Sequence, residues 1–253
     1  MKASEGAAPA PRTAAELYID LVMRSVLDVV YDDRENQLSG TRRGGNWPVR
    51  AHSMIGPQRL ANVAACVRSV LERGVPGDLV ETGVWRGGAT IVMRAVLRAY
   101  GVRDRSVWVA DSFEGLPPPD PDRYPLDAGD THHTFSDLAV SLEEVRRNFG
   151  RYDLLDEQVR FVKGWFRDTL PELPVAQIAV LRLDGDMYES TMVALESLYP
   201  KLSPGGYCIV DDYGAVPGCA RAVDDYRARH RLDEILQPVD WTAVYWRKVA
   251  QRG

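Results

Sequence analysis

Cysteine is scarce in this chain of 253 residues, which contains only three. Cys66, Cys208 and Cys219 are far apart in the sequence and form no C-x-x-C pair. The spacing argues against a disulfide framework and against a site built from paired thiolates. We therefore expect a protein of the reducing cytoplasm.

Positive charge is not in excess, and long apolar runs are lacking. Lys and Arg total 31 against 36 Asp and Glu, for a net charge of −5, so no overall positive field favours nucleic acid as a partner. No segment reaches the roughly 18 apolar residues of a membrane-spanning helix. The first 12 residues also lack the apolar centre of a signal peptide. We expect a soluble protein with no membrane partner.

The composition is that of a globular protein. Hydrophobic residues make up 45% of the chain and charged residues 26%, and this length suits one large α/β domain. We predict a flexible tail over residues 1–12 and a single domain over 13–253. Residues 13–75 form a helical cap at the start of this domain.

Two amphipathic helices are predicted in the cap. The first covers residues 13–31 and opens with a Thr-x-x-Glu capping pattern at Thr13 and Glu16. The second covers residues 56–73, where apolar residues recur at helical spacing. Between them, residues 32–49 have the composition of a loop.

From residue 78 onward, short apolar runs alternate with helical patterns, which is typical of βαβ units. The predicted fold is therefore α/β, with a mainly parallel seven-stranded sheet and helices on both faces. The predicted strands cover residues 78–81, 106–110, 158–163, 177–183, 206–210, 234–237 and 243–246. The predicted helices between them cover residues 88–100, 141–149, 188–199 and 218–230.

Residues 114–137 interrupt this alternation with five prolines, several aspartates and the pair His132-His133. A loop of this length inside a compact domain is usually functional or disordered. We predict a lid over a substrate or cofactor. The two histidines are candidate substrate contacts, with a merely solvated pair as the alternative.

Ligands of open parallel sheets bind at the carboxyl ends of the strands. The first such end runs from Glu81 through Gly83, Gly87 and Gly88 into a helix, and the missing Cβ atoms would let a ligand approach the backbone. The spacing is not G-x-G-x-x-G, so the dinucleotide fingerprint is absent. This wider turn suits a zwitterion or a nucleoside better than a pyrophosphate.

Two further strand ends carry residues suited to a nucleoside. Asp111 follows one strand, where its carboxylate can accept hydrogen bonds from both hydroxyls of a ribose or can cap the following turn. Trp165 and Phe166 follow another strand, where they can contact an adenine or belong to the core.

Four acids follow two more strands: Asp184 and Asp186 after one, and Asp211 and Asp212 after the other. Adjacent strands lie about 4.8 Å apart, so these carboxylates would converge. They cannot all stay ionised without a compensating cation. A hard divalent ion, Mg²⁺ above all, meets that requirement. Capping of the following helices is the alternative.

Five motifs in order give the sequence a specific resemblance to a known family. They are Glu81-Thr82-Gly83-Val84-Trp85-Arg86-Gly87-Gly88, Asp111-Ser112-Phe113, Gly164-Trp165-Phe166, Leu183-Asp184-Gly185-Asp186, and the run from Ser203 to Tyr213. With them, the chain resembles the macrocin O-methyltransferase family. The resemblance implies a class I, Rossmann-like methyltransferase fold that uses S-adenosyl-L-methionine and Mg²⁺. It also implies methylation of a deoxysugar hydroxyl on an antibiotic or similar natural product, by a homodimer or higher homo-oligomer.

The resemblance also implies a role for each matching position. Asp184, Asp211 and Asp212 would hold the metal, and Asp186 would be the general base. The remaining positions would bind the cofactor: Glu81, Thr82, Gly83, Val84 and Trp85 at its methionine part, Asp111 and Ser112 at the ribose, Gly164 and Trp165 at the adenine, Ser53 and Met54 closing over it, and Asp184 beside it. Relatives of the mycinamicin type have Tyr where this chain has Trp47, which affects the expected acceptor.

The predicted reaction is Mg²⁺-dependent methylation of a sugar hydroxyl, with Asp186 deprotonating one hydroxyl of a metal-chelated vicinal diol. We expect Arg182 to neutralise nearby acids, and His52 to line the pocket or to be structural. Three alternatives stay open. They are a catechol-type phenol as acceptor, an NAD-dependent dehydrogenase, and a nucleoside-binding protein without activity.

Overall fold

The computed structural model describes residues 11–30 and 48–250. These residues contain seven strands and seven α-helices, which alternate along much of the chain. The strands are β1 (Asp78–Thr82), β2 (Val107–Asp111), β3 (Val159–Lys163), β4 (Ile178–Leu183), β5 (Leu202–Val210), β6 (Gln237–Pro238) and β7 (Val244–Arg247). The helices are α1 (Ala14–Val26), α2 (Gly56–Glu72), α3 (Gly88–Ala99), α4 (Leu142–Arg151), α5 (Phe166–Thr169), α6 (Tyr188–Leu198) and α7 (Pro217–His230).

The strands form one sheet in the order β3-β2-β1-β4-β5-β7-β6. Strands β1 to β5 are parallel, whereas β7 pairs antiparallel with both β5 and β6. This arrangement confirms the predicted α/β fold with a mainly parallel seven-stranded sheet. Within the described stretches, no helix is long and apolar enough to cross a membrane.

Two apolar clusters cover the two faces of the sheet. Successive strand residues point to opposite faces, so Leu79 belongs to one cluster and its neighbour Val80 to the other. The first cluster includes side chains of α1, α2, α3 and α4, and the second includes those of α6 and α7. Both faces of the central strands are therefore covered, which explains why β2 and β4 consist mostly of apolar residues.

The first two helices pack against α3 on one face of the sheet. The predicted capping box at the start of α1 is present, because Thr13 Oγ1 accepts a hydrogen bond from the Glu16 N–H while the Glu16 carboxylate accepts one from the Thr13 N–H at 2.8 Å. The predicted tail lies mostly outside the described residues. The same holds for the loop at 32–49, which includes Trp47.

Strand β5 begins at Leu202, four residues earlier than predicted. The sequence Ser-Pro-Gly-Gly is typical of a turn, yet it lies within the strand where its pairing with β4 changes register. A Cβ atom on Gly206 would lie 2.6 Å from the carbonyl oxygen of Ala179. Glycine is required there because the two backbones approach so closely.

The shortest elements were the least predictable. Strand β6 contains only Gln237 and Pro238, two residues at the edge of the sheet where a proline costs no ladder hydrogen bond. Helix α5 has four residues and was not predicted. Segments this short contain too few residues to show either period.

One histidine fixes the segment that begins at residue 48. The Arg151 guanidinium donates a hydrogen bond to His52 Nε2 at 3.1 Å, and His52 Nδ1 lies 2.8 Å from the Tyr152 hydroxyl. Because arginine can only donate, Nε2 accepts and the proton is on Nδ1. Burial, assisted by the charge of Arg151, lowers the pKa of His52 to about 4. The folded protein therefore holds this imidazole neutral.

We expect His52 to make the protein less stable in mild acid. Between about pH 6.5 and pH 4 the unfolded chain binds the imidazole proton and the folded chain does not, so the free energy of unfolding falls as the pH falls. A His52→Gln variant keeps a donor and an acceptor but does not titrate. Urea unfolding of both proteins at several pH values should show the native protein losing stability relative to the variant across this window. A constant difference between them would contradict the assignment.

We also expect the capping box to contribute measurably to the stability of α1. Thr13→Ala removes the acceptor for the Glu16 N–H and should lower the free energy of unfolding by about 1 kcal/mol. Thr13→Ser retains the hydroxyl and is the matched control, with stability close to that of the native protein. Equal losses in the two variants, measured by urea unfolding, would show that the methyl group matters instead.

Candidate active site

A cavity of about 290 Å³ opens at the carboxyl ends of the parallel strands. It lies where the strand order reverses, since β1 has β2 on one side and β4 on the other. Most residues singled out from the sequence line it: Ser53, Met54, Glu81, Gly83, Val84, Trp85, Asp111, Ser112, Trp165, Asp184, Asp186, Asp211 and Asp212. Segments far apart in the chain thus meet around one volume.

Thr82 and Gly164 are the two predicted site residues that do not line this cavity. Their backbones instead form hydrogen bonds with residues that do line it. The Thr82 carbonyl oxygen accepts a hydrogen bond from the Asp184 N–H, and the Gly164 N–H donates one to the Asp111 carbonyl oxygen, both at 2.9 Å.

A buried guanidinium joins the ends of three strands. Arg182 on β4 forms ion pairs with Glu81 of β1, with Asp184 at 2.8 Å, and with Asp211 beyond β5. Burial alone would lower the pKa of Arg182, but the three carboxylates outweigh it and raise that pKa well above its usual value. The prediction that Arg182 neutralises nearby acids is confirmed.

A second arginine reaches the same carboxylates and was missed in the sequence. Arg59 of α2 pairs with Asp211 and, at 3.0 Å, with Asp240. It is buried although it is charged. Its position was the available signal, because Arg59 lies four residues before Val63 on the apolar face of an amphipathic helix. Asp240 belongs to no motif, and only the fold brings it to the site.

The remaining acids of the cluster are less well compensated. Asp186 has a φ of 56°, a left-handed conformation, and burial together with the charge of Asp184 raises its pKa to about 7. Burial and then the neighbouring Asp186 raise the pKa of Asp212 well above its ordinary value. Among the described residues, Asp212 Oδ2 is buried and has no hydrogen-bond partner.

These observations revise the charge argument made from the sequence. Two buried guanidinium groups already compensate part of the cluster, so the acids do not depend on an inorganic cation alone. Six carboxyls nevertheless cluster around the two buried arginines: Glu81, Asp184, Asp186, Asp211, Asp212 and Asp240. The acids therefore outnumber the guanidinium groups, and Asp212 Oδ2 has no hydrogen-bond partner among the described residues.

The donor set fits a hard divalent cation. Asp184, Asp211 and Asp212 each offer one carboxylate oxygen, and these three atoms lie within 4.8 Å of one another. Carboxylate oxygens are the ligands that Mg²⁺ prefers. An oxygen that accepts from an arginine retains a second lone pair, so the ion pairs of Asp184 and Asp211 do not block metal binding.

The glycines after β1 have a packing role that the sequence did not indicate. A Cβ atom on Gly83 would lie 1.7 Å from the Asp184 carbonyl oxygen, and one on Gly88 would lie 2.4 Å from the His52 carbonyl oxygen. A Cβ on Gly87 would meet Val145 at 2.9 Å. Protein atoms occupy the space that these Cβ atoms would need, so the glycines are required for packing.

Asp111 and Ser112 fix the loop that follows β2. The two oxygens of Asp111 accept hydrogen bonds from the Val84 and Phe113 N–H groups, each at 2.7 Å. Asp111 therefore caps the following turn and also lines the cavity, so its contact with a ribose stays a prediction. Ser112 accepts from the Glu114 N–H and donates to the Gly115 carbonyl oxygen. Both residues couple the glycine turn to segment 114–137.

Segment 114–137 is anchored at several points across the site. Buried Asp127 accepts hydrogen bonds from the Tyr188 and Glu189 N–H groups at the start of α6. At the other end, the Trp85 indole donates to the Asp137 carbonyl oxygen at 2.8 Å. Three short 3₁₀ turns lie in and just beyond the segment. The segment therefore has defined contacts with the residues on both sides of the cavity.

The two histidines of segment 114–137 have different surroundings. His132 lines the cavity, and its Nδ1 lies 2.8 Å from an Asp130 carboxylate oxygen. His133 is exposed and does not line it. Near the base of the cap, His52 lines the cavity while it also bonds Tyr152, so both interpretations of His52 hold.

Comparison with known proteins identifies the family. The model of the macrocin-O-methyltransferase family matches residues 4–248. The demethyldecarbamoylnovobiocin O-methyltransferase of Streptomyces niveus is 53% identical in an alignment of 262 positions. The alignment covers 95% of this chain and 99% of that protein. The mycinamicin III 3''-O-methyltransferase of Micromonospora griseorubida is 48% identical over 253 residues, covering 95% and 99%.

Two further comparisons agree. An 8-demethyl-8-(2,3-dimethoxy-alpha-L-rhamnosyl)-tetracenomycin-C 4'-O-methyltransferase of Streptomyces olivaceus is 51% identical over 247 residues, 94% of each chain. The solved structure of the O-methyltransferase NovP is 54% identical and superposes with a TM-score of 0.90 over 93% of this chain and 100% of that one. The chain belongs to the macrocin-O-methyltransferase family and is an S-adenosylmethionine-dependent O-methyltransferase.

Proposed function

We propose that this enzyme transfers a methyl group from S-adenosyl-L-methionine to a hydroxyl of a deoxysugar on a natural-product glycoside, with Mg²⁺ at the carboxylate cluster. The convergence of Asp184, Asp186, Asp211 and Asp212 beside the cavity carries this proposal. It is supported by the three relatives, whose names specify O-methylation of novobiocin-, mycinamicin- and tetracenomycin-type compounds. Family membership excludes the dehydrogenase and the inactive binding protein.

The cofactor would occupy the part of the cavity between β1, β2 and the cap. We assign its methionine part to the backbone from Glu81 to Trp85, its ribose to Asp111 and Ser112, and its adenine to the side of Gly164 and Trp165. Ser53 and Met54 would close over it from the cap, and Asp184 would lie beside it. Support comes from the shared cavity that most of these residues line, and a bound cofactor supplies an activated methyl group on a sulfonium.

Asp186 has the properties that a general base needs here. Its pKa of about 7 lets it take up a proton near neutral pH, and it lines the cavity beside Asp184 and Asp212. A sugar hydroxyl is a very weak acid, so Asp186 is a poor base against it unaided. Mg²⁺ held by Asp184, Asp211 and Asp212 would supply the positive charge that lowers the pKa of a vicinal-diol hydroxyl and orients it. A carboxylate oxygen of Asp186 would take the hydroxyl proton as the acceptor oxygen gains the methyl group and the C–S bond of the sulfonium breaks, which would leave the neutral thioether S-adenosylhomocysteine.

The other charged residues hold these groups in place. Arg182 and Arg59 fix the carboxylate of Asp211 from both sides. Because this orientation exists before the acceptor binds, less ordering is required during the reaction. Segment 114–137 would act as a lid whose anchors at Asp127 and Asp137 determine where it lies. A homo-oligomeric assembly stays a prediction.

Replacing the base should separate sugar from phenol acceptors. Asp186→Asn should lower kcat on a sugar acceptor by at least about 100-fold, while the dissociation constant of S-adenosylhomocysteine stays unchanged. Asparagine tolerates the left-handed backbone at this position, so the fold should survive. Asp104→Asn, an exposed site distant from the cavity, is the control. A mild loss on sugars, or turnover of catechols without need of Asp186, would favour the phenol alternative.

Removal of divalent cations should abolish turnover. After chelation, activity should return on addition of Mg²⁺ to the native enzyme but not to Asp212→Asn, which lacks one of the three oxygen donors. Asp233→Asn, an exposed acid, should behave like the native enzyme. Initial rates are also measured with a vicinal diol and with its monodeoxy analogue, and the monodeoxy analogue should react more slowly. Full activity after chelation, or equal rates on the two acceptors, would contradict metal-chelated catalysis.

A further inference from the structure

One large aromatic side chain lines the cavity and is nevertheless open to solvent. Trp241, in the loop between β6 and β7, has 62% of its surface exposed and lies among the lining residues. Indole is mostly apolar, and exposing it costs hydrophobic free energy. Apart from Phe135 at 38%, the other exposed large apolar residues of the described chain, such as Ile235 at 81%, do not line the cavity.

The backbone around Trp241 is tied to the carboxylate cluster on both sides. Asp240 pairs with Arg59 and accepts hydrogen bonds from the Thr242 and Ala243 N–H groups. The Thr242 hydroxyl donates to the Asp211 carbonyl oxygen at 2.9 Å. A Cβ atom on Gly214 would lie only 2.5 Å from the Trp241 carbonyl oxygen. The indole is therefore carried on a fixed turn, which favours binding by preorganisation.

The acids of the cluster are more deeply buried than Trp241. Asp211 is only 2% exposed, whereas Trp241 stands at the rim. A hydroxyl that reacts near Asp186 must lie deep in the cavity, so the part of the acceptor beside Trp241 is a part that extends towards solvent. Phe135 of segment 114–137, 38% exposed, adds another exposed aromatic ring to the same cavity.

We infer that Trp241 is a specificity-determining residue that contacts the apolar aglycone of the acceptor and selects glycosides with a flat, aromatic ring system. This inference rests on the proposed function, because it assumes that a sugar hydroxyl occupies the carboxylate end of the cavity. Stacking on a rigid indole gives affinity to an aromatic ring system, and it gives little to a glycoside whose aglycone is a single methyl group.

The test compares two acceptors that carry the same sugar. One is demethyldecarbamoylnovobiocin, the compound named for the Streptomyces niveus relative, and the other is the methyl glycoside of its sugar. Trp241→Ala should lower kcat/KM for the first acceptor about ten-fold, mainly through KM, and leave the second nearly unchanged. Trp241→Phe should lie between the two. Calorimetric titration of the first acceptor should show the same loss in binding without any turnover.

The control is Ile235→Ala, which removes a more exposed apolar side chain that does not line the cavity. It should behave like the native enzyme on both acceptors, and the affinity for S-adenosylhomocysteine should be unchanged in every variant. Equal losses on both acceptors would mean that Trp241 contacts the sugar, and no loss would mean that it contacts neither; both results overturn the inference. If the native enzyme methylates neither acceptor, the proposed function fails first and the inference falls with it.

Discussion

The buried guanidinium of Arg182 is the interaction on which the site depends. It joins acids at the ends of β1, β4 and β5, which are neighbours in the sheet but distant in sequence. Removing one partner of a buried ion pair typically costs about 3–5 kcal/mol, because a charge is left without compensation. The cluster is therefore a fixed arrangement, and its carboxylates have a defined orientation before any ligand arrives.

Incomplete compensation gives this arrangement its chemistry. Arg182 and Arg59 share Asp211 from two sides, yet Asp186 and Asp212 keep raised pKa values because they are buried among like charges. A group with a pKa near 7 can accept a proton under ordinary conditions, and an unsatisfied carboxylate oxygen can bind a cation. The same burial thus creates both a candidate base and a candidate metal site.

The cavity has two chemically different ends that suit two different ligands. Backbone groups, Asp111 and the Trp165 ring lie at the end formed by β1, β2 and α5, while carboxylates and Trp241 lie at the β5 side. Segment 114–137 contacts both ends through Trp85 and α6. Methyl transfer requires that donor and acceptor meet in line, and the proposed function assigns both to this one cavity.

Most of the site could be predicted from the motifs because most of its residues directly follow strands. Acids that follow apolar runs must appear at one edge of a parallel sheet, so Asp184 and Asp211 were accessible to sequence reasoning. The glycines after β1 were also recognised, but not their packing role, which the Asp184 carbonyl oxygen beside Gly83 shows. Periodicity identifies elements and their ends, and it does not identify what packs against them.

The sequence by itself determined the alternation of strands and helices, the family and the acids at the strand ends, since each of these is local in the chain. Only the tertiary structure decided which charges compensate those acids and which apolar residues stand at the rim. Arg59 comes from α2, and Asp240 and Trp241 come from the β6–β7 loop. These residues share no motif with the cluster. They meet it only because helix packing and the antiparallel pairing of β7 bring distant backbone together.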